Sequence, residues 1–294
     1  MRVFVTGATG FIGSAVAKEL IAGGHDVLGL ARTDEGAASL TAMGADFQRG
    51  TLEDIDSLKH GAAAADAVIH LAFNHDFSKF QENCILDKNA IEALGSALAG
   101  SDKPLIVTGG LGGFGAPGRP ATEEDVIPPD FPFPRVSEQT ALALKGVSAS
   151  VMRLPQVHNT VKQGFVSYLV AAAREKGLAA YIDEGRTAWA ATHVSDVAKA
   201  YRLALEHHEP GSKWHAVAEE GVAMKAIAEA IGRSLKVPVK SLSSEDAQAH
   251  FGWLTGFVSH DLTGSSAVTR KKLGWVPTGP GLIADLARMN DVAE

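Results

Sequence analysis

The sequence predicts an α/β protein built on a doubly wound parallel sheet, with a smaller and partly helical carboxyl-terminal lobe. In the first half of its 294 residues, short apolar segments alternate with amphipathic helical segments, which is the pattern of repeated β-α-β units. After Pro155, helical segments are instead separated by short strands and Gly/Pro turns. We therefore expect one domain over 1–160, a return of segments near 192–220 to that domain, and an interleaved second lobe over 161–294.

The strands of the predicted sheet are short apolar runs. They are Arg2–Thr6, 27–30, Asp46–Arg49, 67–72, 105–108 and 150–154. The first helix, Phe11–Ala22, carries Ile12, Val16 and Leu20 on one face because they are spaced four residues apart, and two glycines end it. Later helices are predicted at 84–98, 137–145, 165–176, 194–207 and 223–235.

The composition is typical of a globular protein, with 46% hydrophobic and 21% charged residues. The 27 basic and 34 acidic residues give a formal charge of −7 with no basic block, which argues against binding to nucleic acid or to an anionic membrane. No apolar run approaches the roughly 18 residues of a membrane span, and no signal-peptide pattern precedes Gly7. We expect a cytoplasmic protein.

The cysteine and histidine content argues against a disulfide or a metal centre. Cys84 is the only cysteine, so neither an intrachain disulfide nor a thiolate-rich zinc site can form. The eleven histidines show no ligand-like spacing. We expect no metal.

The strongest motif is Thr6–Gly13, TGATGFIG, which follows the first strand and opens the first helix. In such a turn Gly7 allows a tight bend, Gly10 lets the backbone approach a pyrophosphate, and Gly13 lets the helix pack closely on the strand. Free amides at the helix start then face the phosphate charge. The motif predicts a dinucleotide site with Gly7, Thr9, Gly10, Phe11, Ile12 and Gly13 as contacts, although a purely structural turn is the alternative.

The end of the second strand favours NADP over NAD. An acidic side chain at this point binds the ribose 2′-hydroxyl of NAD, whereas an arginine suits the 2′-phosphate of NADP. Here Arg32 and Thr33 follow the strand, and both can hydrogen-bond a phosphate. The alternative is a solvated surface arginine paired with Asp34.

Five motifs in order resemble the extended and atypical short-chain dehydrogenase/reductase family, which has a Rossmann sheet. They are the TGATGFIG turn, VIHLA at 68–72, RLP at 153–155, THVSDVA at 192–198 and LGWVP at 273–277. The resemblance implies that Leu71 and Ala72 lie beside the adenosine, that Thr51 and Leu52 flank the adenine, and that Thr108 and Pro155 to Val157 border the nicotinamide. It also implies a homodimer through helices near 84–98 and 137–145.

The catalytic residues of that family are missing from this chain. The family uses a serine or threonine after the fifth strand and then a Tyr-x-x-x-Lys, in which the lysine lowers the pKa of the proton-donating tyrosine. The alignment places Gly110 at the serine, Pro134 at the tyrosine and Glu138 at the lysine. None of the three tyrosines, at 168, 181 and 201, has a lysine four residues later. A different group must donate the proton.

The candidates for this role are His75, Ser137 and His158. His75 follows the fourth strand at the sheet edge where ligands bind, with Asp76 as an orienting partner, although Asp76 and Ser78 also suit a helix cap. Ser137 also reads as a helix start, and His158 as a loop histidine bonded to backbone. His193 with Asp196 more plausibly fixes a helix start than performs catalysis. Trp253, Phe251 and Phe257 either line a substrate pocket or belong to the core.

The sequence thus predicts an NADP-dependent oxidoreductase that acts on a small carbonyl, alcohol or imine substrate with a non-standard proton donor. The second lobe would bind that substrate. Two alternatives stay open: a non-catalytic NADP-binding regulator or sensor, and an isomerase or epimerase that recycles its bound cofactor.

Overall fold

The computed structural model describes residues 1–112, 114–115, 118–128, 131 and 133–289. The strands are β1 Arg2–Thr6, β2 Asp26–Ala31, β3 Asp46–Arg49, β4 Ala67–His70, β5 Ser101–Gly110, β6 Val147–Leu154, β7 Gln156–His158, β8 Ala179–Ile182, β9 Ala188–His193, β10 Lys213–His215, β11 Glu219–Ala223 and β12 Val239–Leu242. The α-helices are α1 Phe11–Ala22, α2 Asp34–Ala42, α3 Ile55–Ala63, α4 Phe80–Leu98, α5 Ser137–Ala143, α6 Val166–Lys176, α7 Val194–Glu206, α8 Met224–Leu235, α9 Ser244–Phe251, α10 Thr255–Val258, α11 Ala267–Leu273 and α12 Leu282–Ala287.

Seven parallel strands form the main sheet in the order β10-β6-β5-β4-β1-β2-β3. The chain winds outward from β1 in one direction to β3 and then returns to build the other side from β4. The strand order therefore reverses between β1 and β4, and ligands bind at the carboxyl ends of the strands beside such a reversal. This arrangement confirms the predicted doubly wound parallel sheet.

Helices cover both faces of the sheet because successive side chains of each strand point to opposite sides. Val3 and Val5 of β1 pack in a core with residues of α1 and α7. Phe4, between them, packs instead with residues of α3 and α4. All three side chains are fully buried.

The carboxyl-terminal part has a second core around Trp189, Ile227 and Leu286. A three-stranded sheet, β11-β9-β7, and a two-stranded pair, β12-β8, belong to it. In contrast, β10 pairs with β6 of the main sheet, and α7 packs against α1. These contacts support the proposed division into a sheet domain and an interleaved second lobe.

Several elements differ from the sequence prediction because long-range pairing decides where they end. β5 starts at Ser101, which pairs with Val147 across a register shift. β4 stops at His70, whereas the prediction extended it to 72. α4 starts at Phe80, before the predicted 84, and α5 ends at Ala143 because Leu144 has an extended backbone. Within the described residues, no helix combines the length and the hydropathy that a membrane crossing requires.

Asp196 fastens the carboxyl-terminal segment to the sheet domain. This buried carboxylate in the first turn of α7 accepts hydrogen bonds from the backbone N–H groups of Thr278 at 3.0 Å and Gly279 at 2.7 Å. Its backbone carbonyl accepts from the indole N–H of buried Trp275 at 2.9 Å. We expected His193 and Asp196 together to fix the start of α7. In the structure only His193 caps this helix, by accepting a hydrogen bond from the Ser195 N–H at its Nδ1.

We expect Asp196→Ala to lower the free energy of unfolding, since it leaves two backbone amides without their acceptor and each lost bond to a charged group costs about 1.5 kcal/mol or more. Chemical denaturation measures this loss. The exposed Asp102→Ala is the control and should leave the midpoint unchanged. Equal midpoints for both variants would contradict the fastening role of Asp196.

Candidate active site

The glycine turn brings the start of α1 into close contact with β1. Gly7 has φ +72°, a left-handed conformation that favours glycine. A Cβ at Gly13 would lie 2.0 Å from the Gly7 carbonyl oxygen, and a Cβ at Gly7 would lie 2.8 Å from the Ala72 nitrogen. Both positions therefore require glycine for packing alone.

Gly10 is less enclosed than the other two glycines. A Cβ at Gly10 would meet only the Gly7 carbonyl oxygen, at 3.2 Å, among the described atoms. Gly10 is the N-cap of α1, and no side chain caps the helix. The first-turn amides, which lack intrahelical partners, are left for an anion. This arrangement fits the pyrophosphate of a dinucleotide.

The end of β2 presents an arginine that the structure leaves without a partner. Arg32 is exposed and makes no hydrogen bond or ion pair to the described residues. Asp34, the partner that the sequence suggested for it, binds Arg49 instead. Thr33 caps α2 by accepting from the Gly36 N–H at 3.1 Å. Arg32 is thus available to a ligand phosphate, while the Thr33 hydroxyl is already engaged.

The residues predicted to line the rest of the cofactor site lie along the same sheet edge. Thr51 and Leu52 follow β3 and are half-buried, as are Leu71 and Ala72 after β4 and Pro155 after β6. Two others are less accessible. Val157 is buried in β7, and the Thr108 hydroxyl is occupied by the His70 carbonyl at 2.7 Å and the Tyr201 hydroxyl at 2.6 Å.

The position aligned with the family lysine is structural in this chain. Glu138 is buried and accepts two hydrogen bonds from the fully buried Arg153, at 2.7 and 2.5 Å. Arg153 also donates to the carbonyls of Thr122 and Asp125. This pair joins α5 to β6 and to the segment before α5.

The two other aligned positions offer no proton. Pro134 has no titratable group, and a Cβ at Gly110 would meet no described atom within 4 Å, so the space of the family serine is open. Tyr201 lies nearby but is fully buried, and burial raises its pKa well above the usual range. A catalytic tyrosine needs the opposite shift.

A buried polar chain runs from β1 and β4 through α4 to the start of α5. The His70 ring bonds the Thr6 hydroxyl at 2.8 Å and the Asp87 carboxylate at 3.2 Å. Ser137 donates to the other Asp87 oxygen at 2.5 Å and accepts from Arg135 Nε at 2.8 Å. Burial would raise the pKa of Asp87, but hydrogen bonding from His70 and the charge of Arg135 lower it overall. The buried Ser137 hydroxyl therefore connects Asp87 to Arg135.

Arg135 and His75 meet around one aromatic ring. The Arg135 guanidinium carbon lies 4.0 Å from the Phe73 ring centre, and the His75 ring centre lies 5.2 Å from the same point. Arg135 Nη2 donates to the carbonyl of Thr108 at 3.2 Å, at the end of β5. Partial burial of the His75 ring lowers its pKa, and the charge of Arg135 adds to this effect, although the residue is exposed to solvent.

Sequence reasoning did not single out Arg135. The available signal was a cation two residues before the predicted helix 137–145, but nothing local shows that its side chain turns back to β5.

Two other sequence candidates have different surroundings. Asp76 caps the 3-10 turn Phe77–Lys79 by accepting from the Ser78 N–H and hydroxyl, at 3.0 and 2.5 Å, so it does not orient His75. His158 is not in a loop but in β7, where it is fully buried and its Nδ1 lies 2.6 Å from Asp285. Burial lowers the pKa of His158 more than Asp285 raises it. The structure does not bring His158 to the Arg135 edge.

A family model described as the NAD dependent epimerase/dehydratase family matches residues 3–217. The chain belongs to this family. The resemblance to extended short-chain dehydrogenases/reductases is thereby confirmed, and the chain is an NAD(P)-dependent enzyme of a family that includes oxidoreductases, epimerases and dehydratases.

Relatives extend this result over the whole chain. An uncharacterised protein of Schizosaccharomyces pombe is 48% identical over 291 residues, which make up 98% of each chain. The 2-alkyl-3-oxoalkanoate reductase of Stenotrophomonas maltophilia is 30% identical over 226 residues, 72% of this chain and 67% of the reductase. Among solved structures, the dTDP-glucose 4,6-dehydratase DesIV from Streptomyces venezuelae, with NAD and TYD bound, has a TM-score of 0.77 at 19% identity and covers 98% of this chain and 95% of that one. This likeness shows the shared fold.

We expect Glu138→Gln to lower the free energy of unfolding of this member of the epimerase/dehydratase family. The substitution leaves the buried Arg153 charge without its counter-ion, and such losses cost about 3 kcal/mol or more. Denaturation measures the cost, with the exposed Glu124→Gln as the control. Affinity for the dinucleotide should not change. A variant of normal stability that has lost only turnover would show instead that Glu138 takes part in the reaction.

Proposed function

We propose that this protein is an NADP-dependent oxidoreductase that reduces a small carbonyl compound, with Arg135 and His75 serving where other members use a serine and a tyrosine. The observation that carries the proposal is the Arg135 side chain. It is only 17% exposed and is held through Nε and Nη2, while its Nη1 makes no hydrogen bond to the described residues. A fixed cation with one unused donor at the carboxyl edge of the sheet suits a substrate oxygen.

The cofactor would be held by the glycine turn and by Arg32. The turn supplies first-turn amides for the pyrophosphate, and Arg32 supplies a fork of donors for a 2′-phosphate. No acidic side chain at the tip of β2 competes for a ribose hydroxyl, since Asp34 is bound to Arg49. When bound, the reduced nicotinamide supplies a hydride to the carbonyl carbon.

The chain's own residues would manage the oxygen of the substrate. Arg135 stabilises the negative charge that develops there, because a preorganised cation needs no rearrangement as the charge forms. Protonated His75 then gives its proton to that oxygen, and the alcohol leaves. Ser137, which is itself bonded to Asp87, positions Arg135 by accepting a hydrogen bond from its Nε. Water reprotonates His75, which is exposed to solvent. The similarity to a 3-oxoalkanoate reductase supports reduction of a ketone.

The description of the family is also compatible with a second function, that of an epimerase or isomerase. Such an enzyme would return the hydride to the same substrate, so no net change in the absorbance of NADPH would accompany product formation. A sensor without turnover would bind NADPH and consume none. The homodimer remains a prediction; α4 and α5 pack together and leave Ile85 and Leu142 exposed, by 56% and 38%.

We expect Arg32→Ala to weaken NADPH binding by about tenfold or more, the value of a lost charge-assisted hydrogen bond of about 1.5 kcal/mol. NADH binding should change little, because NADH has no 2′-phosphate. Calorimetric titration of both cofactors measures the difference. Arg186→Ala is the matched control, since Arg186 is an exposed arginine of the second lobe that is paired with Glu184. Equal weakening of NADPH and NADH would contradict NADP specificity.

We expect Arg135→Gln to lower the turnover number for carbonyl reduction by about a hundredfold, as the loss of a charge-stabilising donor does elsewhere, with little effect on NADPH affinity. The rate should also depend on His75. Because its pKa lies below the ordinary 6.5, the protonated donor form accumulates only as the pH falls below that value. Turnover should therefore rise toward acidic pH.

His75→Gln should abolish this rise, because glutamine does not titrate. Stopped-flow traces of NADPH oxidation between pH 5 and pH 8 supply the profile, with His260→Gln, an exposed histidine of the second lobe, as the control. An unchanged profile in His75→Gln would assign proton donation to solvent.

A further inference from the structure

Six aromatic side chains form a continuous cluster between the sheet domain and the second lobe. We call this set the cleft aromatics: Phe77, Phe133, Phe165, Tyr168, Trp253 and Phe257. Phe77 follows β4 and stacks on Trp253 of the second lobe, with ring centres 4.8 Å apart and planes 26° apart. Phe77 also contacts Phe165 and Tyr168 of the second lobe, each at 6.0 Å.

The exposure of the cleft aromatics distinguishes them from core. None of the six is fully buried; Trp253 is 48% and Tyr168 is 38% exposed. Phe251, only two residues before Trp253, is 6% exposed and lies in the second core. The other three tryptophans are at most 1% exposed. The other four cleft aromatics are partly buried, and Phe165 and Phe257 pack against the second core. A contiguous group of partly exposed rings beside a candidate active site is typical of a ligand-binding surface.

The cleft aromatics are continuous with the edge where Arg135 lies. Phe133 contacts Phe80 at 5.3 Å, Phe80 contacts Phe73 at 6.0 Å, and Phe73 is the ring beneath Arg135. On the other side, Phe77 lies 6.2 Å from His75. A substrate whose oxygen reaches Arg135 would therefore rest its body on aromatic faces.

The polar side chains next to the cleft aromatics are occupied within the protein. Gln156 Oε1 accepts from the Phe165 N–H at 2.8 Å, and Gln163 Nε2 donates to the Asn159 carbonyl at 2.9 Å. The Asn159 side chain accepts from two backbone amides of its own turn. These groups are not poised to bind the diphosphate and hydroxyl groups of a sugar nucleotide.

We propose that the substrate is a planar aryl ketone or aldehyde that stacks on Trp253 and meets Tyr168, whose ring is nearly perpendicular to that of Trp253, edge to face, while its carbonyl oxygen reaches Arg135. This inference rests on the proposed carbonyl reduction and names its substrate class. Offset stacking of flat rings gives affinity beyond the burial of area, which a saturated ring of similar size cannot match.

The test is an equilibrium binding measurement in the presence of saturating NADP⁺, so it requires no turnover. The probes are 2-acetonaphthone, its saturated counterpart 2-acetyldecahydronaphthalene, and UDP-glucose. Calorimetry gives the affinities. Quenching of tryptophan fluorescence reports on Trp253, because the other three tryptophans are buried. We expect 2-acetonaphthone to bind at least about tenfold more tightly than either other probe.

Substitutions then locate the bound ring. Trp253→Ala should weaken 2-acetonaphthone binding about tenfold, whereas Trp253→Phe, which keeps a flat ring, should largely retain it. Phe47→Ala removes a ring that is 45% exposed on β3 and should have no effect. Thermal denaturation and NADP⁺ binding confirm that each variant is folded.

Tighter binding of UDP-glucose or of the saturated ketone, or an unchanged affinity in Trp253→Ala, would overturn the substrate class. Consumption of NADPH with other carbonyl compounds would then leave the proposed reductase intact. Conversely, tight binding of 2-acetonaphthone with no NADPH oxidation by any carbonyl compound would leave the aromatic site intact and overturn the reductase.

Discussion

The contact between the Gly13 position and the Gly7 carbonyl sets the geometry of the whole ligand-binding edge. A Cβ at position 13 would lie 2.0 Å from the Gly7 carbonyl oxygen. Because Gly13 has no Cβ, α1 can pack this closely on β1. This contact aims the open amides of α1 at the reversal point of the strand order. The loop after β4 approaches that point, and the close contact between its Ala72 and Gly7 limits how near it can come.

Around that turn, the polar residues differ from those that the family resemblance implies. The position that holds a lysine in the family carries Glu138, which neutralises the buried Arg153. Cationic charge at the edge comes instead from Arg135, whose side chain is fixed by Ser137 and the Thr108 carbonyl. A guanidinium keeps its charge at any working pH, so it suits charge stabilisation, while proton donation requires a second group such as His75.

The second lobe brings the other half of the cleft. Its Trp253 stacks on Phe77 of the sheet domain, so the aromatic surface exists only when the two parts are packed together. The structural relatives named for nucleotide-sugar chemistry share the fold at low identity, and fold alone does not transfer a substrate.

Local signals in the sequence were enough to place α1, β1 and β3 to the residue, because terminal glycines, helical periodicity and short strand-like segments are features of a few neighbouring residues. They also identified the dinucleotide turn and the absence of the standard catalytic residues. The ends of β4 and β5, the strand at His158 and the pairing of Asp34 with Arg49 depended on partners far along the chain. So did the two features on which the proposed function and substrate rest. The Arg135 side chain is directed to β5 and Phe77 stacks on Trp253, and only folding brings such distant residues into contact.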